Sequence, residues 1–362
     1  MNDCKFIQKG IKFGFGTYGI GDKNIKVFCS DIDRANFLRE VYKNGILFFD
    51  AAEDYHNGFS ELLLGKAFKK NDDVIIATKI SPNNYENNIE KSIDNSLLRL
   101  KRDYIDIIQL HWPNFKVSDE KIIDSLNKVF LKKKIKNVGL CNVTKKYLDR
   151  YLKLSKSNIP IKFVQNEYNI FERSVEKKLL NYCKKRKITF LAYSPFGSSK
   201  QVKKIFLSNF LNEISNIYKL KPTQVVLQWL KHMGVIPIFQ TSKISNLKEN
   251  IRFDNELIPN NLLDKISNKF KQKVVKINPK KIKIVESFSG KFYTNIDQAK
   301  KNLHNFSPSP YELAEEIKEN DILKPVKLRK INSIYHLYEG QLRYWAWVLA
   351  FGCENPIEAL VE

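Results

Sequence analysis

The chain has 362 residues, 43% hydrophobic and 28% charged, with 62 Lys and Arg against 39 Asp and Glu for a formal charge of +23. That balance is ordinary for a soluble globular protein: no apolar run reaches the roughly 18 residues a membrane span needs, and the opening MNDCKFIQKG lacks a signal peptide's apolar core. The scattered cysteines Cys4, Cys29, Cys141, Cys183 and Cys353 form no CxxC pair, which excludes the common zinc spacings and predicts a reducing cytoplasm with no metal site.

The first predicted strand lies in IKFGFGTYG (11–19). A helix capped by Ser30 or Asp31 runs to Tyr42 and stops at Gly45, before the strand ILFFD (46–50). Helix 59–70, strand 74–80, helix 88–100, strand 104–110 and helix 118–134 come next. Strand IKNVGLC (135–141), helix 144–155, strand 162–167, helix 174–187 and strand ITFLAYS (188–194) continue the alternation. A Pro-initiated helix, PTQVVLQWLKHM (222–233), leads into the strand VIPIF (235–239). Eight strands alternating with helices predict an α/β fold, a closed (β/α)8 TIM barrel rather than an open doubly wound sheet. Such a barrel takes about 250 residues, so a chain of this length has room for a second unit.

From about residue 276 the pattern changes. KINPKKIKIV (276–285) reads as a linker running into a strand, and SPSPYELAEEIKEN (307–320) as a helix capped by Ser309 with Pro310 in its first turn. Strands PVKLRKI (325–331) and IYHLYE (334–339) and a helix from Gln341 to Phe351 complete a small α+β unit. The expected division is 1–275 for the barrel and 276–362 for this unit.

The charge of +23 invites a nucleic-acid partner, because basic surfaces release counterions from phosphate backbones. Its distribution argues against that partner. Acids and bases nearly balance over 276–362, and the excess lysines lie on putative helix faces of the first part, as in KVFLKKKIK (128–136) and LLNYCKKRK (179–187). A solvated surface explains them. The sharper alternative is a basic cleft that steers an anionic cofactor or substrate.

Four residues, Asp50, Tyr55, Lys79 and His111, fall at or just past the ends of predicted strands. In a parallel barrel those ends converge on one face, where such folds place their chemistry. Singly they fit a helix cap, a loop phenol, a surface charge and a core histidine. Together, an acid, a phenol, an amine and an imidazole suit proton delivery to a carbonyl.

Seven segments in register resemble the aldo-keto reductase family over roughly residues 5–272. They are FFDAAEDYHNGFSELLLGKAFK (48–69), ATK (77–79), QLHWP (109–113), VGLCN (138–142), QNEYN (165–169), AYSPFG (192–197) and IPIFQTSKISNLKEN (236–250). The resemblance puts the family's catalytic positions on the same four residues. It implies hydride transfer from a nicotinamide to a carbonyl carbon, with Tyr55 protonating the oxygen. A phenol of pKa about 10 is a poor acid at neutral pH, and a nearby ammonium favours its ionised form. Lys79 would therefore ease proton release, Asp50 would hold Lys79 charged and oriented, and His111 would hydrogen-bond the substrate oxygen.

The resemblance also implies cofactor contacts. Asn142 and Gln165 match the pair that binds the nicotinamide amide. Tyr193, with Ser194 beside it, matches the aromatic that stacks on the nicotinamide ring. Cys141 stands where serine is common. Gly16, Thr17 and Tyr18 match the opening loop near the cofactor, and Thr241, Ser242, Lys243 and Asn250 match the adenosine-phosphate clamp. Gln240 and Asn246 depart from that clamp and leave Lys243 as its obvious cation, which favours NADPH with NADH possible. Tyr18, His56, Trp112 and Phe196 are candidates to line the substrate pocket, for an aldehyde or ketone that includes sugar or nucleotide-sugar derivatives.

The segment 311–352 is similar to the ParB N-terminal-like or sulfiredoxin-like fold, in which a glycine-led helix shapes a nucleotide pocket. Gly340 and Arg343 mark where a nucleotide would bind, although Gln341 replaces the usual acid and one arginine remains of the usual pair. The alternative this raises is a regulatory protein whose barrel binds nicotinamide nucleotide and whose tail binds nucleotide or DNA.

Overall fold

The computed structural model describes residues 10–361 apart from 23, 25–26, 156–157, 253–257, 285–289, 307 and 322–323, so Cys4 lies outside the described residues. Eight strands close into a barrel: β1 Gly14–Gly16, β2 Phe48–Asp50, β3 Ile75–Ile80, β4 Ile105–Leu110, β5 Ile135–Cys141, β6 Ile161–Glu167, β7 Thr189–Tyr193 and β8 Ile236–Phe239. Every neighbouring pair is parallel, and β8 returns to β1. β3 and β4 are buried along their whole length, as expected for strands packed inside the barrel and under helices outside it.

Phe48, Ile75, Ala77, Ile107, Phe163, Leu191 and Ile238 fill the interior. Gly14 makes that packing possible, because a Cβ there would lie 2.6 Å from the Phe48 ring. The helix signals hold where they were strongest. Ser30 Oγ accepts from the Asp33 amide at 3.1 Å at the start of helix Asp31–Lys43, and Ser118 caps Asp119–Leu131 in the same way.

Elsewhere the structure departs from the sequence pattern. The stretch read as one helix over 174–187 divides into a π turn, Glu176–Leu180, and an α segment, Asn181–Arg186. Among the described residues six α-helices were not read at all: Tyr18–Gly21, Ser199–Leu207, Asn209–Tyr218, Ile244–Ile251, Asn260–Lys269 and Ile296–Lys300.

The chain divides into two compact units, the second being Lys271–Glu362 with the short segments Thr144–Asp149 and Ser174–Leu179. Its sheet contains β9 Val274–Ile277, β10 Ile282–Ile284, β11 Val326–Ile331, β12 Ile334–Glu339 and β13 Ile357–Val361 in the order β10-β12-β11-β13-β9. β9 straddles the expected boundary at 275/276 and pairs antiparallel with β13, a strand not anticipated from the sequence. Val326, Leu328, Leu337, Ile357 and Ala359 of the sheet pack with Tyr344, Trp345 and Val348 of helix Gln341–Phe351 in a separate core.

Candidate active site at the strand ends

Register decides which side chains meet. Gly16 on β1 lies opposite Asp50 on β2, Lys79 on β3 opposite Gln109 on β4, Gln109 opposite Gly139 on β5, and Cys141 opposite Gln165 on β6. The Lys79 side chain is 1% exposed, and its ammonium donates to Asp50 Oδ2 at 2.7 Å, to the Ala51 carbonyl at 2.7 Å and to the Tyr55 hydroxyl at 3.1 Å. Three partners satisfy its three protons. The barrel thus brings Asp50, Lys79 and Tyr55 into one hydrogen-bonded chain.

His111 reaches the group differently. Its ring stands edge-on to the Tyr55 ring with centroids 5.7 Å apart, and Nδ1 lies 3.2 Å from Asp54 Oδ2. A carboxylate can only accept, so Nδ1 donates. Nε2 has no hydrogen-bond partner among the described residues. The His111 hydrogen bond holds the Asp54 carboxyl below the ordinary aspartate value.

The electrostatics follow from burial and pairing. Burial pulls the Lys79 pKa down, but the Asp50 carboxylate, with smaller contributions from Tyr55 and Cys141, raises the ammonium on balance above the ordinary lysine value. Burial raises Tyr55 more than Lys79 lowers it, so the resting phenol keeps its proton.

The residues matched to cofactor contacts divide into three groups. Thr17 is buried and ties the loop after β1 to β2, its hydroxyl donating to the Asp50 carbonyl at 2.9 Å; Tyr18 beside it is 57% exposed, 5.1 Å from Tyr55 ring to ring. Asn142, in a left-handed conformation at φ 58°, donates to the His111 carbonyl at 3.0 Å and accepts from the Tyr193 hydroxyl at 2.8 Å. Gln165 donates to Asp50 Oδ1 at 2.9 Å, while Ser194 is exposed and its carbonyl accepts from Asn169. The third group follows β8: Lys243 is exposed at the start of helix Ile244–Ile251, its amide donating to Thr241 Oγ1 at 3.1 Å, with Ser242 half-buried and Asn250 buried. This group makes no hydrogen bond to the tetrad.

Two neighbours, Asp54 and Gln109, went unread in the sequence, and Gln240 was read only as a departure from the clamp. Asp54 precedes Tyr55 in the chain and holds His111. Gln109 lies two residues before His111, hence on the same side of its strand, and was passed over as part of a motif. Gln240 Oε1 accepts from the Gly19 amide at 2.7 Å, an approach that needs glycine because a Cβ on Gly19 would lie 1.9 Å from Gln240 Nε2. A cavity of about 470 Å³ lined by Tyr18, Gly21, Asp22, Asn24, His56 and Asn57 adjoins the Tyr55 side. Another, about 280 Å³, lies among residues before β1 and β2, at the end of the barrel away from the tetrad.

The profile of the Aldo/keto reductase family matches residues 12–269 and stops just before Lys271, where the long C-terminal part of the second unit begins. The chain is 33% identical over 195 residues to aldo-keto reductase YhdN of Bacillus subtilis (strain 168), a stretch that covers 50% of this chain and 57% of that protein, so the match spans little more than half of YhdN. Among solved structures it is similar to the thermostable aldo-keto reductase Tm1743 in complex with the inhibitor epalrestat, at a TM-score of 0.64 and 28% identity over 71% of this chain and 94% of that one. An aldo-keto reductase from Klebsiella pneumoniae in complex with NADPH gives a TM-score of 0.64 over 72% of this chain and 90% of that one, at 22% identity, which speaks for the fold alone.

Proposed function

The chain belongs to the aldo/keto reductase family, and from that premise we propose that it reduces an aldehyde or ketone to an alcohol with NADPH as hydride source and Tyr55 as proton donor. The observation that carries this reading is the buried Lys79 ammonium, 3.1 Å from the Tyr55 hydroxyl and 2.7 Å from Asp50.

The side chains at the β5, β6 and β7 ends fit a nicotinamide: Asn142 and Gln165 offer primary amides for a carboxamide, and the hydroxyl bond to Asn142 orients the Tyr193 ring. Once bound, the nicotinamide supplies the hydride that adds to the carbonyl carbon. Tyr55 gives its hydroxyl proton to the carbonyl oxygen as charge develops there. Lys79, already fixed by Asp50, steadies the phenolate that remains, with no reorganisation at the moment of reaction. Nε2 of His111 faces the same oxygen in this reading and donates to it when the ring carries both protons. Solvent then returns a proton to Tyr55.

Lys243, exposed at the start of its helix, supports NADPH through a 2′-phosphate; without it NADH would serve equally. The cavity beside Tyr18 and His56 supports entry of a carbonyl compound, and sugar or nucleotide-sugar aldehydes fall within that class; Trp112 and Phe196 are not among the residues that line it. The free thiols Cys29, Cys141, Cys183 and Cys353 support a reducing cytoplasm, and among the described residues no helix is long and apolar enough to cross a membrane. The test is Tyr55→Phe. Loss of a general acid costs about 10²–10⁴-fold, so carbonyl reduction should vanish while NADPH still quenches protein fluorescence on binding; retention of most turnover would sink the reading.

A second reading keeps the ParB-like resemblance for residues 276–362. Its support is the order helix Pro310–Asn320, β11, β12, helix Gln341–Phe351, with Gly340 at φ 98° opening the last helix. There the protein would be a regulator whose tail takes a nucleotide or DNA. Arg343 is engaged with the Lys324 and Pro325 carbonyls, so a phosphate would rest on backbone N–H groups. A gel shift across salt run beside NADPH oxidation separates the two: turnover without a shift supports the reductase, a shift without turnover the regulator.

A further inference from the structure

We infer that Gln109 is a positioning residue for this reduction: its buried amide, seated where Gly139 leaves room and oriented by the Cys141 thiol, keeps the Asp50 carboxylate turned toward Lys79. The inference rests on the reductase reading above and deepens it.

Asp50 must present one oxygen to Lys79, and what happens at its other oxygen decides how firmly. Oδ2 accepts from Lys79 at 2.7 Å; Oδ1 accepts from Gln165 Nε2 at 2.9 Å and from Gln109 Nε2 at 3.4 Å. Gln165 is the residue that the family resemblance gives to the nicotinamide carboxamide, and each use of its amide competes with the other. Gln109 has no such second duty. It is 0% exposed, midway between Lys79 and Gly139 in the strand register.

Its orientation is determined by chemistry. A carboxylate only accepts, so the amide nitrogen faces Asp50, and Oε1 then faces Cys141 Sγ at 3.3 Å. Burial pushes the Cys141 thiol up, so it carries the proton that this bond needs. Space is arranged to match: a Cβ at Gly139 would lie 3.0 Å from Gln109 Cγ and 3.1 Å from its Oε1. A buried amide is costly unless both its ends are satisfied, and here one end meets a reactive carboxylate.

The consequence for Tyr55 has a sign. Asp50 raises the phenol and Lys79 lowers it. A carboxylate free to turn neutralises Lys79 less, so Tyr55 becomes more acidic while the tetrad loses its fixed geometry.

The test uses full-length Gln109→Leu and Gly139→Ala, the second altering no functional group. With 4-nitrobenzaldehyde and NADPH, Gln109→Leu should lower kcat about tenfold, with KM within about twofold, since small misplacements of reacting groups cost rate. In the protein without cofactor, the ¹³Cζ resonance of Tyr55, assigned through Tyr55→Phe, should titrate lower by about half a pH unit. Gly139→Ala should move both readouts the same way by about threefold and a smaller shift, and the double variant should be no worse than Gln109→Leu. A Gln109→Leu protein with kcat within about twofold of the parent and an unmoved Tyr55 titration overturns the inference, as does full additivity in the double variant. Should Gln109→Leu fail to fold, an unchanged Gly139→Ala overturns it alone. If Tyr55→Phe is inactive while both of these variants behave like the parent, only the positioning role falls; if Tyr55→Phe stays active, the reductase reading falls.

Discussion

Both units bury polar side chains, and they satisfy them in different proportions. At the barrel mouth the partners are mainly other side chains: Asp50 with Lys79, Gln109 and Gln165, Lys79 with Tyr55, Asn142 with Tyr193. In the second unit the Tyr293 hydroxyl donates to Asn302 Oδ1, but the side chains of the last helix turn mainly to backbone carbonyls. Gln341 Nε2 donates to the Lys291 carbonyl at 2.6 Å, Arg343 Nη1 to Lys324 and Pro325 at 2.8 and 3.0 Å, and the Tyr344 hydroxyl to Pro279 at 3.2 Å. A carbonyl neither titrates nor leaves, so such a bond fixes architecture. Ionisable side chains bonded to one another can move a proton or exchange a partner for a ligand, and that difference separates a reactive network from a structural one.

The variant that strains this contrast most is Lys79→Met. It leaves the Asp50 carboxylate buried without its cation, which should cost about 3–5 kcal/mol of stability, and in the proposed reaction it removes the charge assigned to steadying the Tyr55 phenolate, which should cost about 10³-fold in kcat. Thermal unfolding and aldehyde turnover read the two effects. pH sharpens the point. The folded-state pKa of Lys79 is raised, so the stability it contributes is complete below the ordinary lysine value of 10.5 and declines as pH rises through the folded value. Lys79→Met should therefore flatten the alkaline fall in melting temperature. Tyr55 is raised as well, so the parent's reduction rate should persist past pH 10 before it drops. A parent that lost activity near neutrality with the Tyr55 proton would contradict the network as drawn.

Lys243→Ala tests a milder claim within the same unit. It should raise KM for NADPH about tenfold, in keeping with the loss of a charge-assisted phosphate contact, and leave KM for NADH unchanged. Equal effects on both cofactors would remove Lys243 from the 2′-phosphate.

Much of this was legible in the sequence for identifiable reasons. Strands buried on both faces read as unbroken apolar runs, so all eight barrel strands were found, and the tetrad stood out because strand ends carry chemistry-bearing residues in a parallel barrel. Helices Ser199–Leu207 and Asn209–Tyr218 were missed although Ser198 and Gln201 form a capping box, because Phe206, Leu207 and Ile217 are 46%, 78% and 70% exposed and so blur the core-facing stripe. β13 escaped because its partners β9 and β11 are remote in sequence, and five residues after a proline carry no local pattern of their own. Asp54 and Gln109 were hidden for a related reason: each lies inside a recognised motif, and its partner is chosen by the closure of the barrel.

The smallest expected effect bears on the other side of the contrast. Ser309 and Glu312 form a reciprocal cap on helix Pro310–Asn320, Ser309 Oγ accepting from the Glu312 amide at 3.2 Å and Glu312 Oε2 from the Ser309 amide at 2.9 Å. Ser309→Ala removes one of those bonds and should lower stability by about 1 kcal/mol. Because the cap satisfies backbone groups of the second unit, kcat and both KM values should stay at parental levels. A second unfolding transition that shifts alone would show that this unit melts as its own cooperative element. Loss of turnover alongside the shift would mean that the second unit takes part in the chemistry, and the separation of a reactive barrel from an architectural neighbour would fail.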